Sequence, residues 1–178
     1  QFIQAEPASR VGLIQALGMQ HTMTQADNIR DALVGQFYSR FAASGGFDLY
    51  FDDFVLSSWE IVSPDEEIFN SLVVGTYPPA HHTANPERIA KSAVVAACLD
   101  IPVVAVELLA DSSLLLTFSN NVTVRVPTDT PVVDWHWAIT ESGGDPYTGC
   151  LIACYAPGDI QGSMPNNSFK PNPHQGGA

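Results

Sequence analysis

Two histidine-containing segments are the first places in this sequence where side chains could bind a metal or transfer a proton. His81 and His82 are neighbours in the polar segment 76–86, and a nearby acid such as Glu87 could complete a metal site with them. Adjacent residues of an extended chain point in opposite directions, so a shared ion would require a turn. The favoured interpretation is a solvated loop, and neither a metal nor a cofactor is predicted.

The segment Asp134-Trp135-His136-Trp137 is the second place where chemistry could occur. On a strand, Asp134 and His136 would share a face, close enough for the carboxylate to orient the imidazole. That arrangement is half of a catalytic triad, and the chain has no G-x-S-x-G nucleophile elbow to complete it. The chain is therefore predicted not to be an enzyme, and a hydrolase built on His136 stays open as an alternative.

The tryptophans of the same segment suggest a binding role. Flat aromatic rings stack on the apolar faces of sugars and other small ligands, although most aromatic side chains simply build a core. The alternative function is therefore a small-molecule or carbohydrate-binding module that uses Trp135, His136 and Trp137.

Acidic side chains are concentrated between residues 48 and 67. The residues predicted to contact a partner are Asp48, Asp52, Asp53, Trp59, Glu60, Asp65, Glu66 and Glu67. A one-sided acidic patch beside an aromatic residue can steer and anchor a basic protein, whereas a merely solvated face is the plainer interpretation. The predicted function is a non-enzymatic acidic binding protein that occludes a cationic protein partner.

The composition limits the classes of partner. The 178 residues are 46% apolar and carry 19 acidic against 7 basic side chains, a formal charge of −12. Nucleic acid and anionic membrane surfaces would repel this charge, so neither is a predicted partner. The longest apolar stretch, residues 93–110, is interrupted by Asp100, Pro102 and Glu107, which argues against a membrane span.

The cysteines bear on the cellular compartment. Cys98, Cys150 and Cys154 are odd in number and lack metal-site spacing, which favours free thiols in a reducing environment. No secretory signal pattern is visible, and a cytoplasmic location is expected. One sequence leaves the oligomeric state open.

The elements that must position these side chains occur in a repeated order. Residues 34–59 align without a gap on residues 101–126, with apolar residues matched at many positions. This spacing predicts two copies of a helix–β–β–β unit, at residues 24–75 and 85–140. The expected fold is a single α+β domain over residues 1–178, built of antiparallel meanders with helices on one face, and a partly closed barrel is one such arrangement.

The boundaries of the elements follow from local signals. Thr24 with Asp27 predicts a helix start, and the repeat places the end of that helix near Leu33. Pro64 opens an acidic turn or helix, and Asn85 with Pro86 opens a further helix. Strands are predicted at residues 36–42, 47–51, 54–62, 103–109, 114–119, 122–127, 132–140 and 150–155, followed by an irregular tail at 157–178.

Both predicted copies contain a similar short phrase. Leu49–Val55 and Leu116–Val122 each read L-x-F, then a two-residue polar corner, then a strand, and Asp134-Trp135 follows the second. This pattern resembles one found in small, mostly uncharacterised bacterial β-rich proteins, some of which are encoded beside polymorphic toxins as immunity proteins. The resemblance covers residues 30–62 and 100–140. It implies at most a cytosolic binding protein of bacterial type, of which an immunity protein against a toxin is the sharpest form, and it carries over no catalytic residues.

Overall fold

The computed structural model describes residues 24–76, 85–145 and 147–164 and has an α+β architecture, as predicted. Its three helices are α1 (Gln25–Leu33), α2 (Glu66–Thr76) and α3 (Pro86–Ala96). Its nine strands are β1 (Tyr38–Ala42), β2 (Phe47–Phe51), β3 (Phe54–Ser58), β4 (Val103–Leu108), β5 (Leu114–Phe118), β6 (Thr123–Val126), β7 (Trp137–Glu141), β8 (Cys150–Ala156) and β9 (Asp159–Gly162).

The strands form two antiparallel sheets. One sheet has six strands in the order β1-β2-β3-β7-β8-β9, and the other has three in the order β4-β5-β6. Between the sheets the described residues show only isolated bridges, from Phe37 to Pro102 and from Val62 to Arg125. The strands therefore do not close into a barrel, which corrects the partly closed arrangement considered from the sequence.

Side-chain caps set the helix starts where the sequence placed them. The Thr24 hydroxyl accepts a hydrogen bond from the Asp27 amide at 3.2 Å, and the Thr24 amide donates to the Asp27 carboxylate at 3.1 Å. Asn85 accepts from the Arg88 amide at 3.1 Å, with Pro86 in the first helical turn. The predicted starts of α1 and α3, and the end of α1 at Leu33, are confirmed.

Several predicted boundaries differ from the structure. The strand expected over 54–62 ends at Ser58, and the one expected over 36–42 begins at Tyr38. The strand expected over 132–140 begins only at Trp137, although the His136 amide still donates to the Cys154 carbonyl at 2.7 Å and the His136 carbonyl accepts from the Trp59 amide at 3.5 Å. A strand that began at residue 132 would place Val133, Trp135 and Trp137 on one face; because Val133 is 96% exposed and Trp137 is fully buried, that expectation is wrong. The segment expected to be an irregular tail contains β9, which pairs with β8.

The hydrophobic core lies between the two sheets. Each sheet contributes alternate residues to it, for example Leu49 and Ile139 from the large sheet, and Leu116 and Val124 from the small one. The indole of Trp137 donates a hydrogen bond across the core to the Ser112 carbonyl at 2.8 Å. Helix α1 packs against β4, and α3 packs mainly against α2.

The two helix-to-strand junctions pair with each other. The Gly35 amide donates to the Val103 carbonyl at 2.9 Å, and the Asp100 amide donates to the Tyr38 carbonyl at 2.8 Å. Gly35 has φ of 88° and Asp100 has φ of 60°, so each junction turns through the left-handed region. The chain thus leaves α1 and α3 by matching turns that hold the two sheets together at one end.

Two buried thiols should make the fold sensitive to alkali. Burial raises the pKa of Cys98 to about 12 and that of Cys154 to about 11, from an ordinary 9.0. A raised pKa means that the folded state keeps a proton that the unfolded chain loses, so stability is full below pH 9 and falls as pH rises towards 11–12. Each thiol should make the free energy of unfolding fall by about 1.4 kcal/mol more per pH unit in this range. Urea unfolding of Cys98→Ala between these pH values should show a correspondingly shallower slope, and an unchanged slope would contradict the assignment.

Candidate functional site

The acidic residues predicted to form one patch lie at two ends of the β2–β3 hairpin. Asp52 and Asp53 form its turn, whereas Glu60, Asp65 and the start of α2 follow the far end of β3. A five-residue strand separates these ends by roughly 17 Å. Asp48 pairs with Ser57 near the far end, on the face of the sheet that looks away from the core. The structure therefore brings together only part of the predicted set.

Asp52 and Asp53 both make hydrogen bonds within the fold. Asp52 accepts from the Phe37 amide at 3.3 Å. Asp53 accepts from the Gln36 side-chain amide at 3.2 Å, and the Asp53 backbone amide donates back to Gln36. Both carboxylates are exposed, but their hydrogen bonds also hold residues 36 and 37, which lead into β1.

A buried lysine gathers three carboxylates at the other end of the hairpin. The Lys91 ammonium, on α3, lies 2.7 Å from Glu60, 2.9 Å from Glu87 and 4.0 Å from Glu66. Glu66 also accepts a hydrogen bond from the Ser63 amide at 2.6 Å, which closes the start of α2. One ammonium thus ties together the end of β3, α2 and α3.

The pKa shifts in this ion network follow from burial and from Lys91. Burial alone would lower the pKa of Lys91, but hydrogen bonds to Glu60 and Glu87 outweigh it and raise that pKa overall. Burial raises the pKa of Glu66, while the hydrogen bond from Lys91 lowers that of Glu87. Because Glu60 and Glu66 are engaged inside the protein, Asp65 and Glu67 are the acids of this end that remain for a partner.

Helix α2 presents an apolar face to solvent that was not predicted from the sequence. Ile68 is 63% exposed, Leu72 62% and Val74 53%, although the helix buries Val73 and half-buries Phe69 on its inner side. The sequence contains a signal for this face, because Ile68 and Leu72 are four residues apart. They form a second apolar stripe beside the inner stripe of Phe69 and Val73.

Ile68, Leu72 and their acidic neighbours make up one surface. We call it the α2 surface, and it consists of Asp65, Glu67, Ile68 and Leu72, whereas Val74, two residues after Leu72, lies on another side of the helix. Large exposed apolar side chains beside polar ones mark sites of interaction in soluble proteins.

A second concentration of unusual side chains lies on the outer face of the six-stranded sheet, away from the core. The ring centroids of Trp59 and Trp135 are 6.2 Å apart, and those of Trp135 and Tyr147 are 5.7 Å apart. Trp135 packs on Ala138 and Ala153 in a small cluster separate from the main core. We call Trp59, Trp135 and Tyr147 the aromatic group. Trp137, predicted to belong with Trp135, is in the core instead.

His136 does not make the hydrogen bond that a hydrolase would need from Asp134. Burial lowers the pKa of His136, opposed by the charge of Asp129 rather than of Asp134. Its Nδ1 atom is buried without a hydrogen-bond partner among the described residues. The predicted Asp134–His136 pair is therefore not assembled in this part of the chain.

Metal-ligating residues do not cluster in the part of the chain that the structure describes. There, no three His, Cys, Asp or Glu side chains come together as metal ligands would, and His81 and His82 lie outside it. Of the described helices, none combines the length and hydropathy needed to cross a membrane. No family model matches the chain, and neither a curated protein nor a solved structure shows significant similarity to it.

Proposed function

We propose that this protein is a non-enzymatic binding protein whose α2 surface holds a cationic protein partner. The observation that carries the proposal is the exposure of Ile68 and Leu72 on successive turns of a helix whose adjacent stripe, Phe69 and Val73, is already packed inward. An exposed stripe of this kind gains stability only when another molecule covers it.

The charge around the stripe selects the chemistry of the partner. Asp65 and Glu67 border it, and the neighbouring network supplies three carboxylates against the single ammonium of Lys91. With a formal charge of −12 over the chain, approach of a basic surface is favoured and that of an acidic one opposed. The partner is therefore a protein segment that combines Lys or Arg with apolar side chains.

Such binding would act by occlusion. Carboxylates of the α2 surface form ion pairs with the cationic groups of the partner. Ile68 and Leu72 supply the apolar contact area that keeps the partner bound. A toxin that uses a basic cleft to hold an anionic substrate is the sharpest example of such a partner. The similarity of Leu49–Val55 and Leu116–Val122 to a phrase in immunity proteins agrees with this form of the proposal.

The proposal can be tested before the natural partner is identified. Selection of a random-peptide phage library on the full chain should enrich peptides that contain both basic and apolar residues. Those peptides should bind Ile68→Ser/Leu72→Ser about tenfold or more weakly, since two central apolar contacts are lost. Folding is expected to be unaffected, because surface substitutions change stability by only about 0.5 kcal/mol.

Matched controls distinguish binding at the α2 surface from nonspecific binding to other exposed apolar or acidic residues. Val104→Ser/Val133→Ser removes two exposed apolar residues elsewhere and should leave peptide binding intact. Asp65→Lys/Glu67→Lys should slow association, whereas Glu107→Lys/Glu141→Lys, with the same change of net charge, should slow it far less. Peptides without basic enrichment, or equal binding to the Ile68/Leu72 variant, would refute the proposal.

We further propose that the two helix–β–β–β units arose as copies of one unit. The order α1-β1-β2-β3 recurs as α3-β4-β5-β6, and the matching junction bonds of Gly35 and Asp100 support the idea. In each first hairpin the ladder slips at the same point, next to the Tyr38–Phe51 pair and next to the Val103–Phe118 pair. Conversely, the gapless alignment would place Tyr38 on Ala105, so the copies correspond only with gaps.

A further inference from the structure

Most of the basic side chains of this protein are engaged within the described structure. The sequence contains 7 Lys and Arg residues, and all except Arg10 and Lys170 lie in the described ranges. Their contacts are ion pairs of Arg30, Lys91 and Arg125 with carboxylates, hydrogen bonds from Arg88 to the Ser44 and Gly46 carbonyls, and the stacking of Arg40 on Tyr50. A Lys or Arg that the chain itself could bring to the α2 surface is therefore Arg10 or Lys170.

The sequence that follows Arg10 has the composition that the α2 surface selects. Arg10 precedes a largely apolar run over residues 11–17, in which Leu13 and Leu17 are four residues apart and would share one side of a helix. No Asp or Glu occurs from residue 7 to residue 26. Lys170, in contrast, is followed by a sequence rich in Pro, Asn and Gly. Residues 10–17 thus combine a cation with apolar side chains, as the proposed partner does.

This segment is attached to the described structure by a short tether. Thr24 caps α1, which fixes the chain 11 residues after Leu13. A tether of this length spans up to about 35–40 Å when extended, close to the width of a compact domain of this size. A segment tethered in this way has an effective concentration on the order of millimolar, so even a contact of modest intrinsic affinity is populated.

We propose that residues 10–17 cover the α2 surface when no partner is bound. Leu13 and Leu17 rest on its apolar stripe, and Arg10 pairs with the carboxylates of Asp65 and Glu67. A partner then binds by displacing the segment, which favours partners that carry more than one cation. The inference rests on the proposed function, because it assigns an internal competitor to the same surface.

The first test compares amide spectra of the full chain and requires no partner. In ¹⁵N-labelled Leu13→Ser/Leu17→Ser, the signals of residues 65–75 should move relative to the wild type, because α2 loses its cover. Arg10→Glu should move the same signals. Phe2→Ser/Ile3→Ser removes as many apolar side chains from the same end of the chain and should leave them in place. Unmoved 65–75 signals in the Leu13/Leu17 variant, larger movements elsewhere, or equal movement in the control would overturn the proposal.

A synthetic peptide of residues 8–20 tests the contact between separate molecules. It should bind the full-length Leu13→Ser/Leu17→Ser variant and shift the signals of residues 65–75. Adding Ile68→Ser/Leu72→Ser to that variant should weaken binding about tenfold or more, because the apolar stripe is lost. Equal binding with and without the α2 substitutions would contradict the assigned contact.

The basic peptides selected on the chain separate this inference from the proposed function. They should bind Leu13→Ser/Leu17→Ser about tenfold more tightly than the wild type, since no segment has to be displaced. Selected peptides that bind at residues 65–75 with equal affinity for both proteins would overturn the internal competitor and leave the proposed function standing. Movement of the 65–75 signals in the first test, without enrichment of basic peptides, would refute the proposed function and leave the intramolecular contact standing.

Discussion

Replacement of Lys91 by methionine should lower the free energy of unfolding by about 3–5 kcal/mol, because it leaves the partly buried carboxylates around Lys91 without a cation. Lys91 is 6% exposed and lies within 2.9 Å of both Glu60 and Glu87. Methionine keeps the length and apolar stem of the lysine, so the loss would report on the missing ammonium. Urea denaturation near neutral pH measures the effect.

The pH dependence of that variant supplies its internal check. In the wild type, the lowered pKa of Glu87 contributes stability above its ordinary 4.5 that is lost as the pH falls below it. Without Lys91, the carboxylates of Glu60, Glu66 and Glu87 repel one another, the pKa values of Glu66 and Glu87 rise in the folded state, and acid should restore part of the stability. Adding Glu60→Gln to Lys91→Met should also recover part of it. A small loss at neutral pH, with no gain in acid, would show that the ion network is dispensable.

Replacement of Trp137 by alanine should lower the free energy of unfolding by about 3–5 kcal/mol, because it opens a cavity between the sheets. Trp137 is fully buried, and its indole N–H donates a hydrogen bond to the Ser112 carbonyl at 2.8 Å. Trp137→Phe keeps an aromatic ring but leaves that carbonyl without its donor, for a cost of about 1–3 kcal/mol.

The comparison with Trp135 makes this prediction specific. Trp135 packs on Ala138 and Ala153 and beside the rings of Trp59 and Tyr147, outside the main core, so Trp135→Ala should destabilise the fold less than Trp137→Ala. Thermal and urea unfolding of both variants would decide. Equal losses, or a larger loss for Trp135, would contradict the assignment of Trp137 to the core.

Local signals predicted most of the elements because they depend on neighbouring residues. The Thr24 capping box and the Asn85-Pro86 start are complete within four residues, and both were confirmed. The hairpin corner between the strands predicted at 114–119 and 122–127 requires a residue that tolerates positive φ, and Asn121 adopts φ of 66° there. The barrel was wrong because closure depends on contacts between strand edges, which no single segment encodes.

The candidate sites were harder to predict, because their residues are distant in the chain. No spacing rule indicates that Lys91 neutralises Glu60, and that contact removes Glu60 from the surface available to a partner. The alternation that grouped Trp135 with Trp137 holds only inside a paired strand, and the backbone pairing of this segment begins at His136, after Trp135. The exposure of Ile68 depends on which side of α2 meets α3.

Mapping of a bound peptide on the protein tests the central claim most directly. A basic peptide selected on the full chain would be titrated into ¹⁵N-labelled protein, with the amide signals followed one by one. The largest shifts should fall on residues 65–75, and they should weaken as salt screens the carboxylates of Asp65 and Glu67. Shifts confined to the three-stranded sheet, or binding indifferent to salt, would show that α2 does not receive a cationic partner.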